Sequence, residues 1–193
     1  MRPKPSLTAA WRSGLRSGSL TMGLSLLLGV SSGYVVRVVP LFLAFLVLFA
    51  IILLGILFDI MGVAVTVAEE PPLHAMAAKR LPGARQAVRL LRQAPAVSNF
   101  CNDLVGDMAG TLSGATGATI VFSLAKRYPN LREEWLSLLV IALISALTVG
   151  GKAISKHFSI QQANDITLKM GRALFLVEKI IGRELLAKSN RRG

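Results

Sequence analysis

Residues 38 to 58, VVPLFLAFLVLFAIILLGILF, run for 21 positions without a charge and consist mostly of branched aliphatic and phenylalanine side chains. Coiled as a helix, such a run reaches about 30 Å, the thickness of a bilayer's hydrocarbon core. Each of these side chains favours insertion by roughly a few tenths of a kcal/mol, so the stretch commits the chain to a membrane. Three further uncharged runs, 17 to 36, 108 to 125 and 135 to 151, have 20, 18 and 17 residues. With 53% hydrophobic and only 17% charged residues over 193 positions, the composition excludes an ordinary soluble domain. The expected fold class is all-α: a polytopic helical membrane protein with about four transmembrane helices plus cytoplasmic interfacial amphipathic helices.

The net charge of +12 raises the question of nucleic acid. The basic residues, however, lie in three blocks that flank the apolar runs and are not interleaved with stacking aromatics, so nucleic acid is not an expected partner and the lipid bilayer is. With four spans all three blocks fall on one side. The positive-inside rule then puts the N-terminus, the central loop and the C-terminus in the cytoplasm of a multi-pass protein of the cell (inner) membrane. The expected organisation is a basic N-terminus (1 to 16), a transmembrane domain (17 to 159) and a basic amphipathic juxtamembrane helix with its tail (160 to 193). Within the transmembrane domain the spans lie at about 17 to 36, 38 to 64, 101 to 125 and 134 to 152, and a cytoplasmic helical loop covers 70 to 97. A basic stretch ahead of the first run is also the pattern of a cleaved signal peptide, and both readings stand here.

Little in the chain suggests catalysis. Cys101 is the only cysteine, His74 and His157 are isolated, and neither a His/Cys metal spacing nor a nucleophile motif occurs, so no enzyme is expected.

The segment 99 to 118, NFCNDLVGDMAGTLSGATGA, carries two features. Gly106, Gly110, Gly114 and Ala118 recur every four residues, with Ala109, Ser113 and Gly117 as a second row beside them. Small residues at this spacing let a second helix approach closely in lipid, either within the chain or across a homodimer. Ahead of the ladder stand Asn102, Asp103 and Asp107, costly in hydrocarbon unless something neutralises or hydrates them. Three explanations apply. The carboxylates sit at the water surface as helix-start residues. Alternatively, a hairpin folded about Pro129 and Asn130 sets Asp103 against Lys156 and Asp107 against Lys152 as an internal charge cluster. In the third, their oxygens, with Asn102, hold a hard cation such as Mg²⁺. The end of the second span adds Asp59, Thr66, Glu69 and Glu70 on the same side, before Pro71 and Pro72 end the helix.

These segments resemble a known family, the transmembrane domain of the CorB/CorC and CNNM magnesium transporters. The resemblance rests on VTVAEEPPLHAMAAKRLPGARQAVRLL, NFCNDLVGDMAG and GGKAISKHFSIQQANDITLKMGRAL, and covers about residues 38 to 187. It implies an ion site in which Thr66, Glu69, Asn102 and Asp103 stand at ligand positions and Gly150 to Lys152 lie near the segment that closes the site. Ala68, Gly106, Lys152 and Ser155 depart from the family's hydroxyl, Asn, Glu and Pro. The chain shows no CBS pair, so any regulation is expected from a separate partner. The expectation is a small CorB-like dimer that binds or moves a divalent cation. Its rival is a non-transporting assembly or regulatory protein with the Asp/Lys cluster in place of the ion site.

Overall fold

The computed structural model describes residues 40 to 128 and 132 to 182, with isolated helical positions between 11 and 26. The first expected span, 17 to 36, lies almost wholly outside the described residues, as does the basic tail beyond 182. Every regular element among the described residues is helical. In chain order these are α1 (Leu41–Val67), α2 (Glu70–Ala78), α3 (Ala84–Arg92), α4 (Ala94–Ser98), a π-helical segment (Asn99–Gly106), α5 (Asp107–Arg127), α6 (Glu133–Gln161) and α7 (Ala163–Ile181). Three helical stretches are long and apolar enough to cross a membrane: Leu41–Val67, Ala94–Arg127 and Glu134–Gln161.

The breaks between helices follow from local chemistry. Glu69, before the Glu-Pro-Pro start of α2, is extended with ψ of 139°, and the prolines occupy the first turn, where their missing N–H groups would have no helical partner. Arg80, Pro82 and Gly83 separate α2 from α3; Gly83 has φ of +83°, open to glycine at no steric cost. At the end of α7, Gly182 adopts φ of +70° and its N–H returns to the Glu178 carbonyl.

The chain divides into two compact units, one of residues 1 to 55 with 106 to 148, the other of 56 to 105 with 149 to 193. In the first unit, small residues set the helix approaches. A Cβ on Gly55 would lie 2.8 Å from Ala109 Cβ, and one on Gly117 would overlap Ile144. Thus the second row of the ladder, Ala109, Ser113 and Gly117, is the buried one, while Gly114 and Ala118 are exposed and, among the described residues, nothing lies within 4 Å of a Cβ on Gly110 or Gly114. Several hydroxyls within these helices are satisfied locally, Thr111 donating to Asp107 O, Ser113 to Gly110 O and Thr148 to Ile144 O, whereas the buried Thr116 hydroxyl has no partner among the described residues. Leu138, Leu139, Ile141 and Leu143 of α6 stay exposed, the pattern of a surface that meets acyl chains.

In the second unit α2, α3 and α7 share a core of Leu73, Ala84, Ala87, Val88 and Leu168. The fit is closest where α7 passes the start of α3, since a Cβ on Gly171 would overlap Gly83 O and lie 2.6 Å from Ala87 N. Glu178 is buried, accepting hydrogen bonds from Gln86 Nε2 at 3.0 Å and Arg89 Nη2 at 2.9 Å. The Glu69 N–H, left without a partner in its own helix, donates to Asn164 Oδ1 at 2.9 Å and ties the start of α2 to the start of α7. The apolar stripe of α7 expected from its periodicity divides accordingly. Ile166 is buried, whereas Val177, Ile180 and Ile181 remain exposed because the packed face is the one carrying Thr167, Gly171 and Glu178.

Candidate functional site

Of the polar residues singled out in the sequence, Asp59, Thr66, Glu69, Asn102, Asp103, Lys152 and Lys156 lie in the second unit. Asp59, Gly62 and Thr66 fall three and four residues apart on α1, hence on one helical face. Gly62 is where Asn102 seats: a Cβ there would overlap the Asn102 amide oxygen and lie 2.6 Å from its Cγ. The amide is oriented from its other end, Nδ2 donating to Ser98 Oγ at 3.2 Å. Asn102 Oδ1 is buried and has no hydrogen-bond partner among the described residues. A buried amide oxygen without a donor costs about 1 to 3 kcal/mol, so its persistence calls for a compensating ligand or function.

The backbone here is irregular in a way that serves the same geometry. Asn99–Gly106 forms a π-helical segment, whose wider turn changes the direction in which successive side chains leave the axis. Asn102 is thereby turned onto Gly62 while Asp103 is exposed. A 3.6-residue wheel drawn through 99 to 118 could not show this.

Lys152 of α6 has its ammonium 3.9 Å from Asp59 Oδ1, with the lysine 31% and the aspartate 17% exposed. The approach of α6 is again permitted by glycine, since a Cβ on Gly151 would overlap Ile56. Asp59 was visible in the sequence as part of the helix-end cluster but not as the partner of Lys152. Among the described residues Asp103 and Lys156 form no ion pair, and both are exposed. Asp107, at the start of α5 in the other unit, is exposed too.

The remaining candidates are placed less tightly. Thr66 is exposed and its hydroxyl donates to Val63 O at 2.7 Å, leaving the oxygen lone pairs available. Glu69 is exposed at the α2 start, and a Cβ on Gly150 would meet nothing within 4 Å. Among the described residues no three His, Cys, Asp or Glu side chains gather as a metal-binding group. Three buried side-chain oxygens lack a partner among the described residues, Asn102 Oδ1, Thr116 Oγ1 and Thr167 Oγ1; of these, Asn102 belongs to the polar set singled out in the sequence, and one carboxylate of that set, Asp59, already faces an ammonium. Sequence reasoning missed Gly62 and Ser98, which hold Asn102 from both sides; the recurrence of glycine at 55 and 62 on a helix otherwise built of bulky residues was the available signal.

Comparison with known proteins finds no match to a family model, to a curated protein or to a solved structure.

Proposed function

We propose that this chain is a small integral membrane protein that binds or moves a divalent cation, Mg²⁺ foremost, at the cytoplasmic ends of its spans. The observation that carries the reading is Asn102 Oδ1, a buried oxygen with no donor, held against Gly62 by Ser98. Mg²⁺ keeps several of its waters and needs few protein oxygens, so one amide oxygen with Thr66, Asp103 or Glu69 reached through water suits it better than it would suit Ca²⁺. The resemblance to the CorB-like transmembrane domain points the same way and belongs to this proposal. So do the fourth span at 17 to 36, the cytoplasmic termini, the interfacial placement of α3 and α7, and a homodimer. For the dimer, the row of half-buried Gly110 and exposed Gly114 and Ala118 offers a close approach to a second copy that the buried row does not use.

A second reading is favoured by the Lys152 and Asp59 pair. There the lysine ammonium is the resident cation, and the protein serves as a non-transporting assembly or regulatory partner. Equilibrium dialysis of the purified chain against Mg²⁺ separates the two. The transport reading expects Mg²⁺ bound by wild type and at least tenfold weaker binding in Asn102→Ala. No binding by wild type, with binding gained in Lys152→Glu, establishes the second reading instead.

A further inference from the structure

The second unit contains a cavity of about 910 Å³ that the cation reading does not use. Its walls come from the end of α2, the α2 to α3 turn, α3 and one residue of α7, and they include His74, Arg80, Arg85, Arg89, Arg92 and Phe175. The size falls within the range of about 300 to 1,000 Å³ typical of small-ligand sites. Arg89 is engaged by Glu178. Arg80, Arg85 and Arg92 have no carboxylate within ion-pair distance among the described residues, and all three are exposed. Three arginines lining one cavity without a carboxylate partner leave their charge unneutralised, and planar guanidinium forks match phosphate oxygens in pairs.

Two further observations bear on what fills the cavity. Arg80 has φ of +55°, the one described residue other than glycine in the left-handed region, so an arginine is kept where the backbone favours glycine. The cavity is also held close to the membrane helices. Only Ala68 and Glu69 separate α1 from α2, only Gln162 separates α6 from α7, and the nine residues of α2 extend about 14 Å. Phe175 at the cavity wall and the exposed Val177 and Ile180 farther along α7 add apolar surface beside the basic groups.

We infer that the cavity is a phosphate-binding site filled by the headgroup of an anionic phospholipid, with Arg80, Arg85 and Arg92 as its ligands. The test uses the full chain in zwitterionic detergent, heated with added phosphatidylglycerol, phosphatidylcholine or inorganic phosphate. Phosphatidylglycerol is expected to raise the melting midpoint by about 5 °C and phosphatidylcholine not at all. The triple variant Arg80→Gln, Arg85→Gln, Arg92→Gln loses that rise, whereas removing equal charge at the α5 to α6 turn, with Lys126→Gln, Arg127→Gln and Arg132→Gln, keeps it. Arg80→Gly separates binding from folding, because glycine suits the left-handed backbone. It is expected to melt no lower than wild type without lipid, yet to show a smaller rise with phosphatidylglycerol. Equal rises with both lipids, or a full rise in the triple variant, overturn the inference. An equal rise with inorganic phosphate assigns the cavity to a soluble anion and overturns the lipid assignment.

Discussion

Replacing Gly62 with alanine tests the seat of Asn102 directly. The added methyl would overlap the Asn102 amide oxygen, with Cγ at 2.6 Å and Nδ2 at 2.9 Å, so the amide must leave its place. Overpacking of this kind costs about 1 to 3 kcal/mol, against which alanine gains about 1 kcal/mol over glycine in a helix. The net expectation is destabilisation of up to about 2 kcal/mol, read as a midpoint lowered by up to about 8 °C at roughly 2 to 4 °C per kcal/mol. Asn102→Ala removes the obstructing group. In that background the same Gly62→Ala change should become stabilising, by up to about 1 kcal/mol, because only the helix-propensity gain is left. The assay is thermal melting of the four proteins of the cycle in one detergent. A Gly62→Ala effect of the same sign and size in both backgrounds would refute the claim that Gly62 and Asn102 are in contact.

Other substitutions probe the second unit and the proposed dimer. Gly171→Ala should lower stability by about 3 kcal/mol despite its better helix propensity, because the obstructing atoms, Gly83 O and Ala87 N, belong to backbone; denaturant melts check this. Glu178→Ala should cost about 2 to 4 kcal/mol in the same melts, since it leaves Gln86 and Arg89 without their shared acceptor. Gly114→Leu, with no neighbour within 4 Å of the added Cβ among the described residues, should leave the melt nearly unchanged and abolish dimer crosslinking; retained crosslinking would exclude that face from the interface.

The spans were legible because lipid leaves few options. Residues 41 to 58, 108 to 125 and 135 to 151 of the uncharged runs lie on the three helices long and apolar enough to cross a membrane. Punctuation was legible where proline or glycine enforces it, as at Pro71, Pro72 and Gly83. Much of the rest depended on tertiary approach. The glycine ladder was readable as a packing device, yet which of its two rows is buried was decided by Ile144 and Gly55, whose positions no wheel contains. Counting across a presumed hairpin gave Lys152 a partner on the adjacent span, whereas its ammonium faces Asp59 of α1. That step assumed that the next helix in sequence supplies the counter-ion, and the narrow surface of Gly151 lets α1 supply it instead. Nothing in the sequence of the basic helix at 160 to 193 marks Glu178 for burial; the packing of α3 against α7 makes it a buried acceptor.

The central claim is that the oxygen of Asn102 meets a divalent cation on its way through or into the membrane. Mg²⁺ uptake into proteoliposomes loaded with a Mg²⁺-sensitive dye, measured for wild type, Asn102→Ala and Lys152→Glu at matched protein density, tests it most directly. The account predicts uptake by wild type and a loss of at least tenfold in Asn102→Ala. No uptake by wild type, or uptake undiminished in Asn102→Ala, would contradict it, and uptake gained only in Lys152→Glu would show that the lysine on Asp59 holds the cation's place.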